Sequence, residues 1–168
     1  MKRYANGNTA AFETLYGRHK DALYRYLLRG CNSRDTASEL FQDIWLKLIN
    51  ARERYKPKAR FSTYLFTLAH NRLVDYYRSK RIMPVMAPES AAPPEDQPEN
   101  DFDRQQRAAR LMAAISTLPF DQREAIVLKE EREFSLEEIA QITGVGRETV
   151  KSRLRYALAK LREELGND

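Results

Sequence analysis

The stretch from Phe134 to Leu165 most limits what this chain can fold into. Ser135 followed three residues later by Glu138 is a capping box, so a helix begins there. Ile139, Ala140 and Ile142 give that helix an apolar side, and Gly144 ends it after about two turns. Gly146 can start a second helix, whose inner face is expected at Val150, Leu154, Ala157, Leu158 and Leu161. Ala140 is small at the point where two such helices would cross closely.

This order of cap, short helix, glycine turn and second helix resembles a helix-turn-helix, whose second helix lies in the DNA major groove. On a wheel of about 100° per residue, the side opposite Val150, Leu154 and Leu161 carries Glu148, Ser152, Arg155 and Tyr156. Thr149 and Lys151 flank that side, and Arg147 stands at its start. Arginine, serine and lysine suit base edges and phosphates, and a carboxylate at Glu148 can accept from a cytosine amino group. The plain alternative is an amphipathic helix hairpin with a solvated basic face.

Charge is distributed unevenly. Residues 1–81 carry 17 Lys and Arg against 7 Asp and Glu, and residues 82–103 carry none against 6. Residues 104–168 carry 12 against 11. A basic block, an acidic spacer and a near-neutral block predict two domains with different partners. The spacer at 82–103 also holds Pro84, Pro88, Pro93, Pro94 and Pro98, so it reads as a flexible linker, spanning roughly 25 Å as a coil. No apolar run approaches the roughly 20 residues of a membrane span. The opening residues are too polar for a secretory signal, and a lone Cys31 suits a reducing cytoplasm.

Helical periodicity organises the rest, and no strand stands out, so the expected fold is all-α. A first helix is expected from about Thr9 to Leu28, closed by Gly30, and a second capped by Ser33 or Asp35. In the second, Ala37, Leu40, Phe41, Ile44, Trp45, Leu48 and Ile49 repeat at i, i+3, i+4. A polar strip of Glu39, Gln42, Asp43 and Lys47 runs beside them, which periodicity alone explains as solvent exposure. Arg52, Arg54, Lys56, Lys58 and Arg60 surround Pro57 in an exposed basic loop. Ser62 is expected to cap a third helix to about Arg81, with Leu65, Leu68, Ala69, Leu73 and Tyr76 inward. Phe61, Tyr64, Asn71, Arg72, Tyr77, Arg78, Lys80 and Arg81 fall on its other faces. Aromatics among cations suit single-stranded nucleic acid, which stacks on rings and presents phosphates; equally, Phe61 and Tyr64 can staple the helix start into the core. Beyond the spacer, Leu111, Met112, Ile115 and Leu118 are spaced for burial, Pro119 begins another helix, and Ala125, Ile126 and Leu128 point inward.

Taken together these segments resemble a bacterial extracytoplasmic-function (ECF) sigma factor, group 4 of the sigma-70 family, over nearly the whole chain. The motifs are Ala-Phe-Glu-Thr-Leu-Tyr from Ala11, the Asp35 to Leu48 segment, the Phe61 to Arg78 segment, Leu118-Pro119 through Arg123, Glu138-Ile139-Ala140 and Thr149 to Arg153. The resemblance implies two small helical domains, 1–81 and 104–168, joined by the linker 82–103. It implies that Glu39, Gln42, Asp43 and Lys47 bind core RNA polymerase. It implies that Arg54, Lys56, Lys58, Arg60, Phe61, Ser62, Tyr64, Asn71, Arg72 and Arg78 melt and hold the minus-ten element. Arg147, Glu148, Thr149, Lys151, Ser152, Arg155 and Tyr156 would read the minus-thirty-five element. An anti-sigma partner, a cytoplasmic location, no cofactor and no metal are further implications. Three departures stand out: Tyr64 replaces a common tryptophan, His70 a common arginine, and Glu131 to Phe134 lacks a common glycine.

Two other classes fit the residues less well. A polymerase-independent helix-turn-helix repressor or activator leaves the aromatic-basic helix at Phe61–Arg81 without a task. Catalysis is not expected, since His19 and His70 are the only histidines and no Cys/His cluster or glycine-rich phosphate loop occurs. Glu39 with Asp43 lacks the further ligands a metal needs.

Overall fold

The structure is a computed structural model that describes residues 1–56, 58–80 and 102–166. Nearly all of the spacer, including its five prolines, lies outside the described residues. The described residues form helices α1 (Lys2–Ala5), α2 (Thr9–Cys31), α3 (Arg34–Asn50) and α4 (Phe61–Ser79), with a 3-10 turn at Arg52–Arg54. They continue as α5 (Phe102–Thr117), α6 (Phe120–Arg132), α7 (Leu136–Thr143) and α8 (Arg147–Gly166). The fold is all-helical.

Local chemistry sets most of the boundaries. The Asn8 side chain accepts from the Ala11 amide at the start of α2, and Ser33 does the same for Thr36 at α3. Helix α2 runs through Gly30 and stops at Asn32, which takes the left-handed conformation that asparagine tolerates well. Gly30 instead lets α2 approach α4 closely: a Cβ there would meet Leu73 Cδ1 at 2.7 Å, so Leu73 would have to shift. Helix α4 begins one residue before the expected cap: Arg60 holds the N-cap position, and Ser62 is buried in the first turn. Glu133 closes α6 with φ of 49°, so it occupies the left-handed position where a glycine would carry no Cβ penalty. The missing glycine thus has a local cost, of order 1 kcal/mol.

In the amino-terminal helices, Leu23, Leu27, Leu40, Ile44, Leu48, Leu65 and Leu73 are at most 1% exposed. Each buried leucine or isoleucine contributes roughly 1.5–3 kcal/mol of transfer free energy. That core continues into Leu128, Phe134, Ile139, Ile142, Val150 and Ala157 of the carboxy-terminal helices. Helix α6 shows why. Residues Arg123 to Leu128 are all buried, and six consecutive buried positions go right round a helix. It is packed between α2 and α8.

Several side chains lie elsewhere than their spacing predicts. Tyr77 faces inward, its hydroxyl donating to the Gly30 carbonyl at 2.5 Å and its ring 5.3 Å from Phe120. Phe66 is also fully buried, because α4 packs on α2 and α3 along one stripe and on α7 along another. Leu158 is 45% exposed, and Leu111 and Met112 are about as open; α5 packs on α8, and its buried residues are Ala114 and Ile115 near its end, followed by Leu118 just beyond it.

Candidate nucleic-acid interface

The basic loop and the start of α4 enclose a cleft of about 430 Å³. Arg54, Lys56 and Lys58 supply cations, Tyr55 and Tyr64 supply rings, and Thr63 and Thr67 supply hydroxyls. The two tyrosine rings meet edge to face at 5.0 Å, and burial raises both phenol pKa values, so both stay neutral. The volume falls within the range of small-ligand sites. Aromatic walls with a cationic rim give stacking surface and phosphate contacts together. Gln141, from α7, forms part of the same wall.

Other residues expected beside this cleft have different surroundings. Arg60 is paired with Glu138 at 3.1 Å, and Phe61 packs its ring 5.1 Å from His19. The Ser62 side chain is buried and is not presented to the cleft. Asn71 and Arg78 are exposed further along α4, at the i, i+3, i+7 spacing that continues from Tyr64 and Thr67. Arg72 lies off that line. Both its Nε and Nη2 reach Asp43 Oδ2, at 3.1 and 2.8 Å. One strand-binding candidate and one polymerase-binding candidate therefore form a single ion pair.

On α3, Glu39, Gln42 and Lys47 are exposed around Asp43. Leu46, absent from the expected strip, is 57% exposed on the same face. Its signal was an apolar residue out of phase with the Ile44, Trp45, Leu48 stripe. On α8, Arg147, Glu148, Thr149, Lys151, Arg155 and Tyr156 are exposed and Ser152 is half-buried. Their partners lie within α7 and α8: Arg147 with Glu137 and Glu148, Lys151 with Glu148, and Arg155 over the Tyr156 ring at 5.2 Å. The capping box at Ser135 is complete, with both hydrogen bonds near 3 Å.

Between the two sets of helices lie polar contacts that sequence reasoning missed. Glu124 is 4% exposed; its Oε1 accepts from the Tyr26 hydroxyl at 2.5 Å and lies 2.7 Å from His70 Nδ1. Burial, then the Glu124 carboxylate, pushes the Tyr26 phenol well above its ordinary range. Glu131 pairs with Arg25 and Arg29 at 2.9 and 2.8 Å. Glu138 meets Arg60 and, at 3.5 Å, Thr63. These three carboxylates are seven residues apart, and all reach from α6 and α7 to α2 or α4.

His19 belongs to the same contact. Arg132 Nη2 lies 2.7 Å from His19 Nδ1, and an arginine only donates, so this nitrogen must be the unprotonated one. Burial, then Arg132 and Arg18, holds the imidazole pKa down to about 4. A histidine with a folded-state pKa below its unfolded value of about 6.5 is neutral in the fold, so stability falls as pH drops from about 6.5 towards 4. Melting temperature should therefore decline less steeply over that range in His19→Gln than in the parent. Equal slopes would show that His19 protonation is not coupled to folding.

Comparison with known proteins decides the family. Residues 15–82 match Sigma-70 region 2, and residues 114–163 match Sigma-70 region 4. The chain is 34% identical over 167 residues to the RNA polymerase sigma factor CarQ of Myxococcus xanthus, covering 99% of this chain and 95% of that one. It is 31% identical over 160 residues to the ECF RNA polymerase sigma factor RpoE of Cereibacter sphaeroides, with coverage of 93% and 87%. The chain belongs to the ECF RNA polymerase sigma factors.

Among solved structures, this sigma factor is similar to RpoE of Bartonella quintana in complex with the anti-sigma factor NepR. The TM-score is 0.76 at 26% identity, covering 94% of this chain and 98% of that one. It is also similar to CnrH in complex with the cytosolic domain of CnrY, with a TM-score of 0.72 at 25% identity and coverage of 99% and 94%. Among the described residues of the sigma factor, no helix is long and apolar enough to cross a membrane.

Proposed function

We propose that this sigma factor, a group 4 member, holds the melted minus-ten strand in the cleft beside α4 and reads the minus-thirty-five element with α8. One observation carries the reading: the chain has two unlike cationic surfaces. The cleft has aromatic walls, which suit unstacked bases. The exposed side of α8 is a convex helix with alternating cations and polar groups, which suits the major groove of a duplex. Helices α7 and α8 with the Gly144 turn form the helix-turn-helix, in which Arg147, Lys151 and Arg155 hold phosphates and base edges. Glu148, Thr149, Ser152 and Tyr156 complete the reading face.

In the cleft, Arg54, Lys56 and Lys58 bind phosphates while Tyr64 offers a stacking face. Unstacking a base costs a few kcal/mol, which stacking and charge neutralisation offset. Arg60, Phe61, Asn71 and Arg78 extend this surface, Ser62 lies buried beneath its start, and Arg72 supports it by tying the flank of α4 to Asp43. Residues 1–81 and 104–168 act as two domains on the two promoter elements, with 82–103 as the linker between them. Core polymerase docks on α3, where Glu39, Gln42, Asp43 and Lys47 surround the exposed Leu46. An apolar side chain ringed by polar groups is a usual anchor at an interface. An anti-sigma factor binds this chain as NepR binds RpoE in the related complex, and the protein works in the cytoplasm.

Run-off transcription with core polymerase on genomic fragments tests the reading. Discrete start sites are expected with the parent protein. Glu39→Lys should lower core-polymerase capture in pull-down while leaving the melting curve unchanged, because Glu39 is exposed. Absence of any discrete start would overturn the promoter reading. Retained capture by Glu39→Lys would remove α3 from the polymerase interface.

A further inference from the structure

We propose that the Glu138 carboxylate stands in for a strand phosphate, so that in the free chain it occupies Arg60 and Thr63 at the edge of the single-strand cleft while leaving the duplex-reading face of α8 open. The inference rests on the strand-binding reading of the cleft. The anion is in place: Glu138 Oε1 lies 3.1 Å from Arg60 Nη1 and 3.5 Å from Thr63 Oγ1. A carboxylate that accepts from an arginine and a threonine makes the contacts a phosphate oxygen would make. Three residues further along α7, Gln141 borders the cleft itself. Arg147, Lys151 and Arg155, by contrast, have their partners within α7 and α8.

Glu138 is committed by its backbone as well as by its charge. Its other oxygen, Oε2, accepts from the Ser135 amide in the capping box, so the carboxylate is oriented before it meets α4. The Arg60 side chain is 72% exposed, and so exposed a pair contributes little to folding and is screened by salt. The pair is therefore not what joins the two sets of helices. Phe134 against Phe66, and Glu124 against Tyr26, hold them, and that packing sets Glu138 beside Thr63 at the cleft's edge. A strand phosphate then competes with Glu138 for Arg60 rather than finding it free.

The test measures affinity of the full chain, without polymerase, for a fluorescent single-stranded oligodeoxynucleotide and for a duplex probe. Glu138→Gln keeps the capping geometry, since glutamine also serves in a capping box. It should tighten single-strand binding about two- to fivefold at low salt, leave duplex binding unchanged, and lose its advantage as salt rises. In an Arg60→Ala background the gain should vanish, since the two residues act through one contact. Glu138→Asp keeps a negative charge at the helix start but withdraws the carboxylate from Arg60 by one methylene; it should give part of the same gain, and it covers the case in which Glu138→Gln folds poorly. Unchanged single-strand affinity in both variants overturns the proposal, as does equal tightening of the duplex. If Arg60→Ala still weakens the single strand in that case, the cleft reading survives without competition from Glu138. If Arg60→Ala has no effect in the free chain or with polymerase, Arg60 is not a strand contact and the proposal fails, while the cleft reading then rests on Arg54, Lys56, Lys58 and Tyr64.

Discussion

Replacing Phe134 with alanine is expected to destabilise the protein by about 3–5 kcal/mol, the usual cost of deleting a buried phenylalanine. Phe134 is 1% exposed, and its ring meets the fully buried Phe66 edge to face at 5.2 Å. It sits between Glu133 in the left-handed conformation and the Ser135 cap, where the chain turns from α6 into α7. Backbone constraint on both sides leaves little room for the site to collapse around a smaller side chain. For a chain of this size the loss corresponds to a melting temperature lower by roughly 6–20 °C. Because Phe66 is on α4, the same change should loosen the two sets of helices, seen as a second transition or a broader one in the melting curve. A curve like the parent's would mean that Phe134 and Phe66 are not packed together in solution.

Arg155→Ala should have the opposite profile, a large loss of function on an unchanged fold. Arg155 is exposed and touches the Tyr156 ring, so its removal should alter stability by no more than about 0.5 kcal/mol. A good arginine contact to a base edge is worth about 1–3 kcal/mol, which is roughly five- to 150-fold in affinity. Polymerase carrying the variant should bind its promoter more weakly by that factor and lose discrimination at one position of the upstream element. Ser152→Ala should have a smaller effect, since Ser152 is half-buried beneath the same face. Competition between promoter fragments that differ only in the upstream element measures both. Discrimination equal to the parent's would take these residues off the reading face.

What the sequence determined by itself is local. The Ser135–Glu138 box, the Gly144 stop and the apolar repeat of α3 all depend on residues three or four apart, and spacing along one helix reports such contacts directly, while the choice of Ser33 over Asp35 as the α3 cap came from the structure. Family resemblance also rests on ordered local motifs, so an ECF sigma factor was legible before any coordinates. Tertiary structure alone decided the rest. A helical wheel says which residues share a face, not how many neighbours that helix will have. Helices α4 and α6 each pack on two sides, so Phe66, Tyr77, Arg123 and Glu124 are buried although they fall outside the expected apolar stripes. Asp43 and Arg72, assigned separately from their own helices, became one ion pair because α3 and α4 lie side by side. The ties made by Glu124, Glu131 and Glu138 span 54 to 106 positions of sequence. A carboxylate's partner at that distance is fixed by how helices pack, and no pattern of neighbours along the chain encodes it.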